Sequence, residues 1–196
     1  MLSRVVIILV VAGTVLPSAL QKAGDAGELA AYRLTPANLR KVIRVNRAVL
    51  QALMKEPKVK ETLAIEAELE TLRSKTERTQ ADEGRIAELE TRRQELESEM
   101  DNPLGGDAET LTELEARVRS YPPMAEVLQR QGMSPREYAK FWLTFLQAAF
   151  AHGFQKSGML KALPAGVNPE NVRFIAEHEA EIAAMQKEFE RLGRRR

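Results

Sequence analysis

The sequence contains no cysteine, which excludes disulfide bonds, thiol nucleophiles, thiolate metal sites and a lipid-modified cysteine. It also lacks a charge imbalance: 29 lysines and arginines face 28 aspartates and glutamates, so nothing draws the whole chain toward nucleic acid or an anionic surface. Aromatic residues are scarce, at 5% of the chain. With 196 residues, 44% of them hydrophobic, the chain is still long and apolar enough to bury one sizeable core.

The few aromatic residues are concentrated in one stretch, residues 133–154. Ser134, followed by Pro135 and Glu137, is typical of a helix start with a capping box. Only two residues in 141–151 are polar, so this helix should be enclosed by other elements. The sequence therefore predicts an all-α fold, a compact helical domain around this aromatic-rich helix. The aromatic residues concerned are Tyr138, Phe141, Trp142, Phe145, Phe150 and Phe154.

The first residues have the pattern of a secretory signal. Arg4 precedes an uncharged apolar run, residues 5–16, and small residues follow. Cleavage is expected after Ala19 or after Ala26, so residues 1–26 are the predicted signal peptide. An uncleaved anchor is the alternative, although the run is shorter than the ~20 residues that a membrane span needs. We expect a periplasmic or secreted body with no stable membrane insertion once the leader is removed.

Three helices are predicted to start alike, with an apolar residue, a capping residue and a proline at the first helical position. The first should run over residues 36–55. Asn46 in it could make a buried polar contact, but we favour a position at the edge of the apolar stripe. The central helix should end at His152, just before Gly153, and the last should run over residues 169–192. Residues 21–33 show no clear period and are predicted to be a linker or a frayed start. The three starts are Leu34-Thr35-Pro36, Met133-Ser134-Pro135 and Val167-Asn168-Pro169.

Residues 58–100, called here the charged arm, have no aromatics and many charges. Two apolar stripes are separated by residues 79–84, where the pattern fails. One long helix is an alternative, but we favour an antiparallel, coiled-coil-like hairpin that turns within residues 79–84. The core domain would then consist of residues 27–57 and 101–196. The first stripe is Ile65, Leu69 and Leu72; the second is Ile86, Leu89, Leu96 and Met100.

Candidate catalytic residues are few. Glu177, His178 and Glu181 lie together on the predicted last helix, where they could ligate a metal or serve a hydrolase. A catalytic zinc site needs three protein ligands, and the usual two-histidine helical motif is absent. There is also no nucleophile elbow, phosphate loop or dinucleotide fingerprint. An exposed helix face is the simpler interpretation, so we predict no catalytic residues, no metal site and no cofactor.

Several segments resemble a loose group of exported bacterial all-helical proteins of unknown function. The resemblance covers the first helix and residues 120–182, and the charged arm looks like an insertion relative to it. It implies export and an α fold, and it implies no mechanism. The segments are Leu34-Thr35-Pro36, Tyr121-Pro122, Gly132-Met133-Ser134-Pro135-Arg136-Glu137-Tyr138, and Asn171-Val172-Arg173-Phe174-Ile175 with His178.

These patterns favour a non-catalytic protein of the cell envelope that binds another protein or a second copy of itself, and not nucleic acid. The charged arm is the expected contact, because its incomplete apolar stripes could bury more surface against a partner. A periplasmic holdase-type chaperone is one specific form, by analogy of architecture. A hydrolase or metal-dependent enzyme that uses Glu177, His178 and Glu181 is the competing class.

Overall fold

The computed structural model describes residues 23–99 and 110–194, and all the regular structure in these ranges is α-helical. The predicted all-α class is therefore confirmed. None of the described helices combines the length and the hydrophobicity of a membrane span. The helices are α1 (Ala23–Ala31), α2 (Pro36–Leu53), α3 (Pro57–Arg73), α4 (Gln80–Glu99), α5 (Leu111–Ser120), α6 (Pro122–Arg130), α7 (Pro135–Lys156), α8 (Pro169–Glu177) and α9 (Glu179–Arg194).

The three predicted helix starts are confirmed. In each, the oxygen of the capping side chain accepts a backbone N–H from the first turn, which satisfies one of the donors that a helix leaves unpaired. Glu137 does not close the predicted capping box at α7, because its carboxylate lies 3.2 Å from Lys41 Nζ of α2. The accepted bonds come from Asn38 to Thr35, from Glu137 to Ser134 and from Glu170 to Asn168.

The aromatic-rich helix α7 lies at the centre of the core, in contact with α1, α5 and α8. Tyr138, Phe141 and Phe145 are buried. Phe141 stacks on Phe145 with 5.7 Å between ring centroids, and Trp142 meets Phe145 edge-on at 5.6 Å. Trp142 itself is only partly buried. Each buried aromatic removes a large apolar area from water, so this cluster supplies much of the hydrophobic stabilisation.

The predicted end of α7 is wrong. The helix passes through His152 and Gly153 and ends only at Lys156. Gly158, with a φ of 75°, adopts the left-handed conformation that glycine accepts most readily and terminates it. Phe154 is 41% exposed, so the C-terminal end of α7 is not enclosed in the way the rest of the helix is.

The N-terminal segment predicted as a linker contains α1 over most of its length. Two glycines weaken the helical tendency of this segment, which is why its sequence gives no helical signal. Tertiary contacts compensate, because Leu29 is buried in the core and Glu28 forms ion pairs with α7.

The charged arm forms the preferred antiparallel hairpin of α3 and α4, but its turn lies at residues 74–79 and not in 79–84. Thr79 starts α4: its hydroxyl accepts the Asp82 N–H at 3.2 Å, and its own N–H donates to the Asp82 carboxylate at 2.9 Å. The polar residues that break the apolar pattern therefore cap the second helix. Met100 lies outside the described residues.

The two helices of the hairpin are joined by a strip of apolar side chains, called here the seam, and by ion pairs across it. Arg85 and Arg92, seven residues apart on α4, each bind one carboxylate of α3 through two nitrogens, at 2.7 Å from Nε in both cases. Arg93 occupies a seam position and reaches Glu66 at 3.1 Å. The apolar residues of the seam form a cluster separate from the main core: Ile65, Leu69, Ile86, Leu89 and Leu96, with Leu72 against them.

Replacing residues 58–100 with a Gly/Ser linker is expected to leave the rest of the chain folded, because the buried residues of the arm pack on each other. Thermal unfolding followed by circular dichroism and by Trp142 fluorescence should stay cooperative. Phe141→Ala serves as the comparison, since truncating this buried ring should cost about 3–5 kcal/mol. Loss of cooperative unfolding in the arm-replaced protein would contradict the prediction.

Candidate functional site

Glu177, His178 and Glu181 are not arranged as a metal site. Glu177 ends α8, and its exposed carboxylate lies 3.6 Å from Arg173. Glu181 is exposed on the next helix, α9. In the described ranges, no group of three or more histidine, aspartate or glutamate side chains is placed to hold a metal ion. These residues therefore add no support to the enzyme alternative.

His178 marks a break in what was predicted to be a single last helix, and that prediction is wrong. The backbone N–H of His178 and its ring Nδ1 lie 3.0 and 2.9 Å from the same Phe174 carbonyl oxygen. Its ring also stacks on Phe174, with centroids 4.1 Å apart. A side chain that uses the carbonyl four residues back disturbs the helical ladder at that point. The histidine thus has a structural role between α8 and α9.

A charged cluster centred on Arg136 joins α1, α5 and α7. The guanidinium Nη2 lies 2.5 Å from Glu28, and Nη1 lies 2.7 Å from Glu115. Lys140 approaches Glu28 at 2.7 Å, and the buried Asp25 lies 3.5 Å from Arg136. Hydrogen bonds from Arg136 and Lys140 lower the pKa of Glu28 to about 2. In this cluster the carboxylates of α1 and α5 bind the cations of α7, and these contacts fasten α1 to the core.

Asn46, predicted at the edge of its stripe, is instead fully buried between α2 and α7. The Tyr138 hydroxyl donates to Asn46 Oδ1 at 2.7 Å, and burial raises the pKa of this phenol. A buried polar group without its partner costs about 1–3 kcal/mol. The bond therefore favours one register of α2 against α7, and the hydrophobic stripe alone gave no sign of it.

An open cleft of about 160 Å³ lies between α2 and the C-terminal end of α6. Its apolar lining consists of two alanines and a buried valine, and exposed amides and cations surround it. No lining residue is acidic, and none is a serine, threonine or histidine. The cleft thus presents amides and cations to a ligand. It is lined by Ala48, Gln51, Ala52, Lys55, Val127, Arg130 and Gln131.

The cations that line this cleft form no ion pair within the part of the chain that the structure describes. Lys41 and Arg47 of α2 form ion pairs with neighbouring helices, whereas Lys55 and Arg130 form none with the described residues. The sequence of α2 contains no acidic residue at all. Arg44 lies one turn before Ala48 on the same side of α2, which extends the positive face. Such a face favours a carboxylate or another anion.

Comparison of the chain with protein-family models, with curated proteins and with solved structures found no match. The resemblance to exported bacterial helical proteins therefore stays a prediction. So does the secretory signal, most of which lies outside the described residues.

Sequence reasoning missed the cleft because its two walls are far apart in the chain. Residues 48–55 and 127–131 come together only when α2 packs on α6. The one available signal was the absence of acidic residues from α2, within a chain whose charges balance overall.

The free energy of unfolding at acidic pH should depend on the ion pairs around Arg136. The folded pKa of Glu28, about 2, lies below its ordinary value of 4.5. Glu28 therefore contributes stability above pH 4.5 that is lost as the pH falls toward 2. In Arg136→Gln, the pKa of Glu28 should rise, and stability should fall less steeply over this interval. NMR titration of the Glu28 carboxyl and urea unfolding at each pH measure the two effects.

Arg173→Gln is the matched control, because Arg173 pairs with an exposed carboxylate outside the cluster. It should keep the acid dependence of the unmodified protein. A Glu28 carboxyl that titrates at its ordinary value in the unmodified protein would rule out the described geometry.

Proposed function

We propose that this protein is a non-catalytic binding protein of the cell envelope, and that the α2–α6 cleft binds an acidic segment of another protein. One observation carries the proposal: Lys55 and Arg130 stand at a cleft with no acidic lining residue, and neither pairs with a carboxylate in the described ranges. Desolvating a cation is costly unless an anion accompanies it, so the charge selects for a carboxylate-bearing partner.

The rest of the lining favours a polypeptide over a small anion. Ala48 and Ala52 are partly exposed and supply a small apolar surface, which would accept an aliphatic side chain. Gln51 and Gln131 each carry an amide donor and an acceptor, which match the N–H and C=O groups of a peptide backbone. A volume of about 160 Å³ suits one or two side chains and no large ligand.

The charged arm is less well equipped for binding than its sequence indicated. The apolar side chains that were expected to bury surface against a partner, such as Leu69 and Leu96, are already buried between α3 and α4. A holdase would use open apolar surface on the arm, and of the described apolar seam residues Leu72 alone is partly exposed. The arm remains available for contacts through its charged faces, which salt would weaken.

The cleft can be tested with a labelled acidic peptide of about ten residues, in which glutamate alternates with leucine. Fluorescence anisotropy should show binding that weakens as salt is raised, because the attraction between charges is screened. Lys55→Gln combined with Arg130→Gln should weaken binding at least about tenfold. Lys60→Gln, which removes an exposed cation from α3, is the matched control and should bind like the unmodified protein.

Two further measurements distinguish the cleft from the charged arm and a protein partner from nucleic acid. The arm-replaced protein should retain peptide binding. If it loses peptide binding while the Lys55→Gln, Arg130→Gln variant keeps it, the charged arm and not the cleft is the interface. Short duplex DNA should not compete with the peptide. Equal binding of the peptide by the double variant, or displacement of the peptide by DNA, would refute the proposed partner class.

We propose in addition that the body is exported and that the leader is removed. The support is the pattern around residues 5–16, a single positive charge followed by a short apolar run and small residues. Mass spectrometry of the protein from the native envelope should give an N-terminus between residues 20 and 27. An intact Met1 in the cytoplasmic fraction would contradict the proposal.

A further inference from the structure

Two helices of this protein end in the same way, with a glycine followed by a methionine. At α6, Gly132 has a φ of 63°, and the Met133 N–H donates to the Leu128 carbonyl. At α7, Gly158 has a φ of 75°, and the Met159 N–H donates to the Phe154 carbonyl at 2.9 Å. This helix ending, the Schellman motif, turns the residue after the glycine back toward the last turn, where an apolar contact usually forms.

The two endings differ in what covers them. At α6 the apolar pair is in the core: Met133 is 3% exposed and Leu128 is 0% exposed. At α7 the corresponding pair faces solvent, with Met159 70% exposed and Phe154 41% exposed. These two are the large hydrophobic residues most exposed in the described ranges. The backbone geometry is the same in both places, so the two endings differ in the exposure of the apolar pair and not in how the helix ends.

Phe150 extends this surface along α7. It lies one turn before Phe154, and the two rings stack with centroids 6.4 Å apart. Phe150 is partly exposed and is not among the residues packed against the main core. Phe150, Phe154 and Met159 are called here the α7 cap patch. Three neighbouring large apolar side chains at a surface mark an interaction site more often than scattered single ones do.

The charged residues near the patch in the sequence are all basic. Residues 141–169 contain no aspartate or glutamate, although the whole chain has 28. Lys156 and Lys161 flank Met159 within this stretch. Lys156 pairs with the exposed Glu179 of α9 at 2.7 Å, whereas Lys161 is exposed and forms no ion pair with the described residues. Glu179 thus offsets the charge of Lys156, and Lys161 is the cation that the described residues leave unpaired next to the apolar side chains of the patch.

We propose that the α7 cap patch is a peripheral contact with an anionic membrane surface. Phe154 and Met159 would enter the boundary between headgroups and acyl chains, and Lys161 would lie against the anionic headgroups. Apolar anchors combined with lysines fit a lipid surface better than a second copy of this chain, since a copy would bring Lys161 close to its own equivalent. The contact is shallow and reversible, because it uses a helix end and one loop.

The contact can be tested by vesicle sedimentation. The protein is purified from its native source, so that it carries the N-terminus found in the cell. Vesicles of phosphatidylcholine with about one third phosphatidylglycerol should bind the protein. Vesicles of phosphatidylcholine alone should bind it several-fold less. Phe154→Gln combined with Met159→Gln should weaken partition to the anionic vesicles at least about tenfold. Every variant keeps the same N-terminus, so the difference between them reports the patch and not the leader.

Lys161→Gln should weaken binding to anionic vesicles only, and Lys60→Gln should leave both kinds of vesicle unaffected. Circular dichroism melts confirm that the surface substitutions leave the fold intact. Equal partition of the unmodified protein and the double glutamine variant would overturn the proposal. So would a concentration-dependent dimer, seen by analytical ultracentrifugation, that the double variant abolishes while vesicle binding is absent.

Discussion

The burial of α7 is the constraint on which the rest of this fold depends. Tyr138, Phe141 and Phe145 share one face of this helix. Ala139 and Thr144, on either side of that face, are buried too, so other helices must enclose α7 on more than one side. Those helices come from both sides of the charged arm, with α1 and α2 before it and α5, α6 and α8 after it. Neither part of the chain can complete the core alone, so the arm has to leave the core and return to it.

Charge has two different arrangements in this molecule. Around Arg136 and along the hairpin, cations and carboxylates are matched across helices, and the matched groups hold elements together. Other cations form no ion pair with the described residues, namely Lys55 and Arg130 at the α2–α6 cleft and Lys161 beside the α7 cap patch. Surface ion pairs contribute little stability each, so their arrangement says more about orientation and recognition than about the energy of the fold.

Sequence-based predictions succeeded where a feature depends on neighbouring residues, and failed where it depends on residues distant in the chain. Helix starts depend on a few adjacent residues, so Thr35, Ser134 and Asn168 could be identified as caps from the sequence alone. The buried position of Asn46 depends on a tyrosine 92 residues away, which no local pattern reveals. The end of α7 was misplaced because Gly153 is tolerated inside a helix, whereas Gly158 takes the left-handed conformation. The candidate site was missed for the same reason as Asn46, since residues distant in sequence form its walls.

The hairpin has a consequence for how this chain can change in length. Glu61 and Glu68 on α3 face Arg92 and Arg85 on α4, so the pairing repeats after seven residues on both helices. Removing or adding seven residues on each side at once would keep the register of both seam and ion pairs. The same change on one side alone would keep that helix's apolar face toward the seam but leave about two of its turns without a facing partner. In evolution, the arm can thus grow or shrink in paired steps while the aromatic core stays as it is.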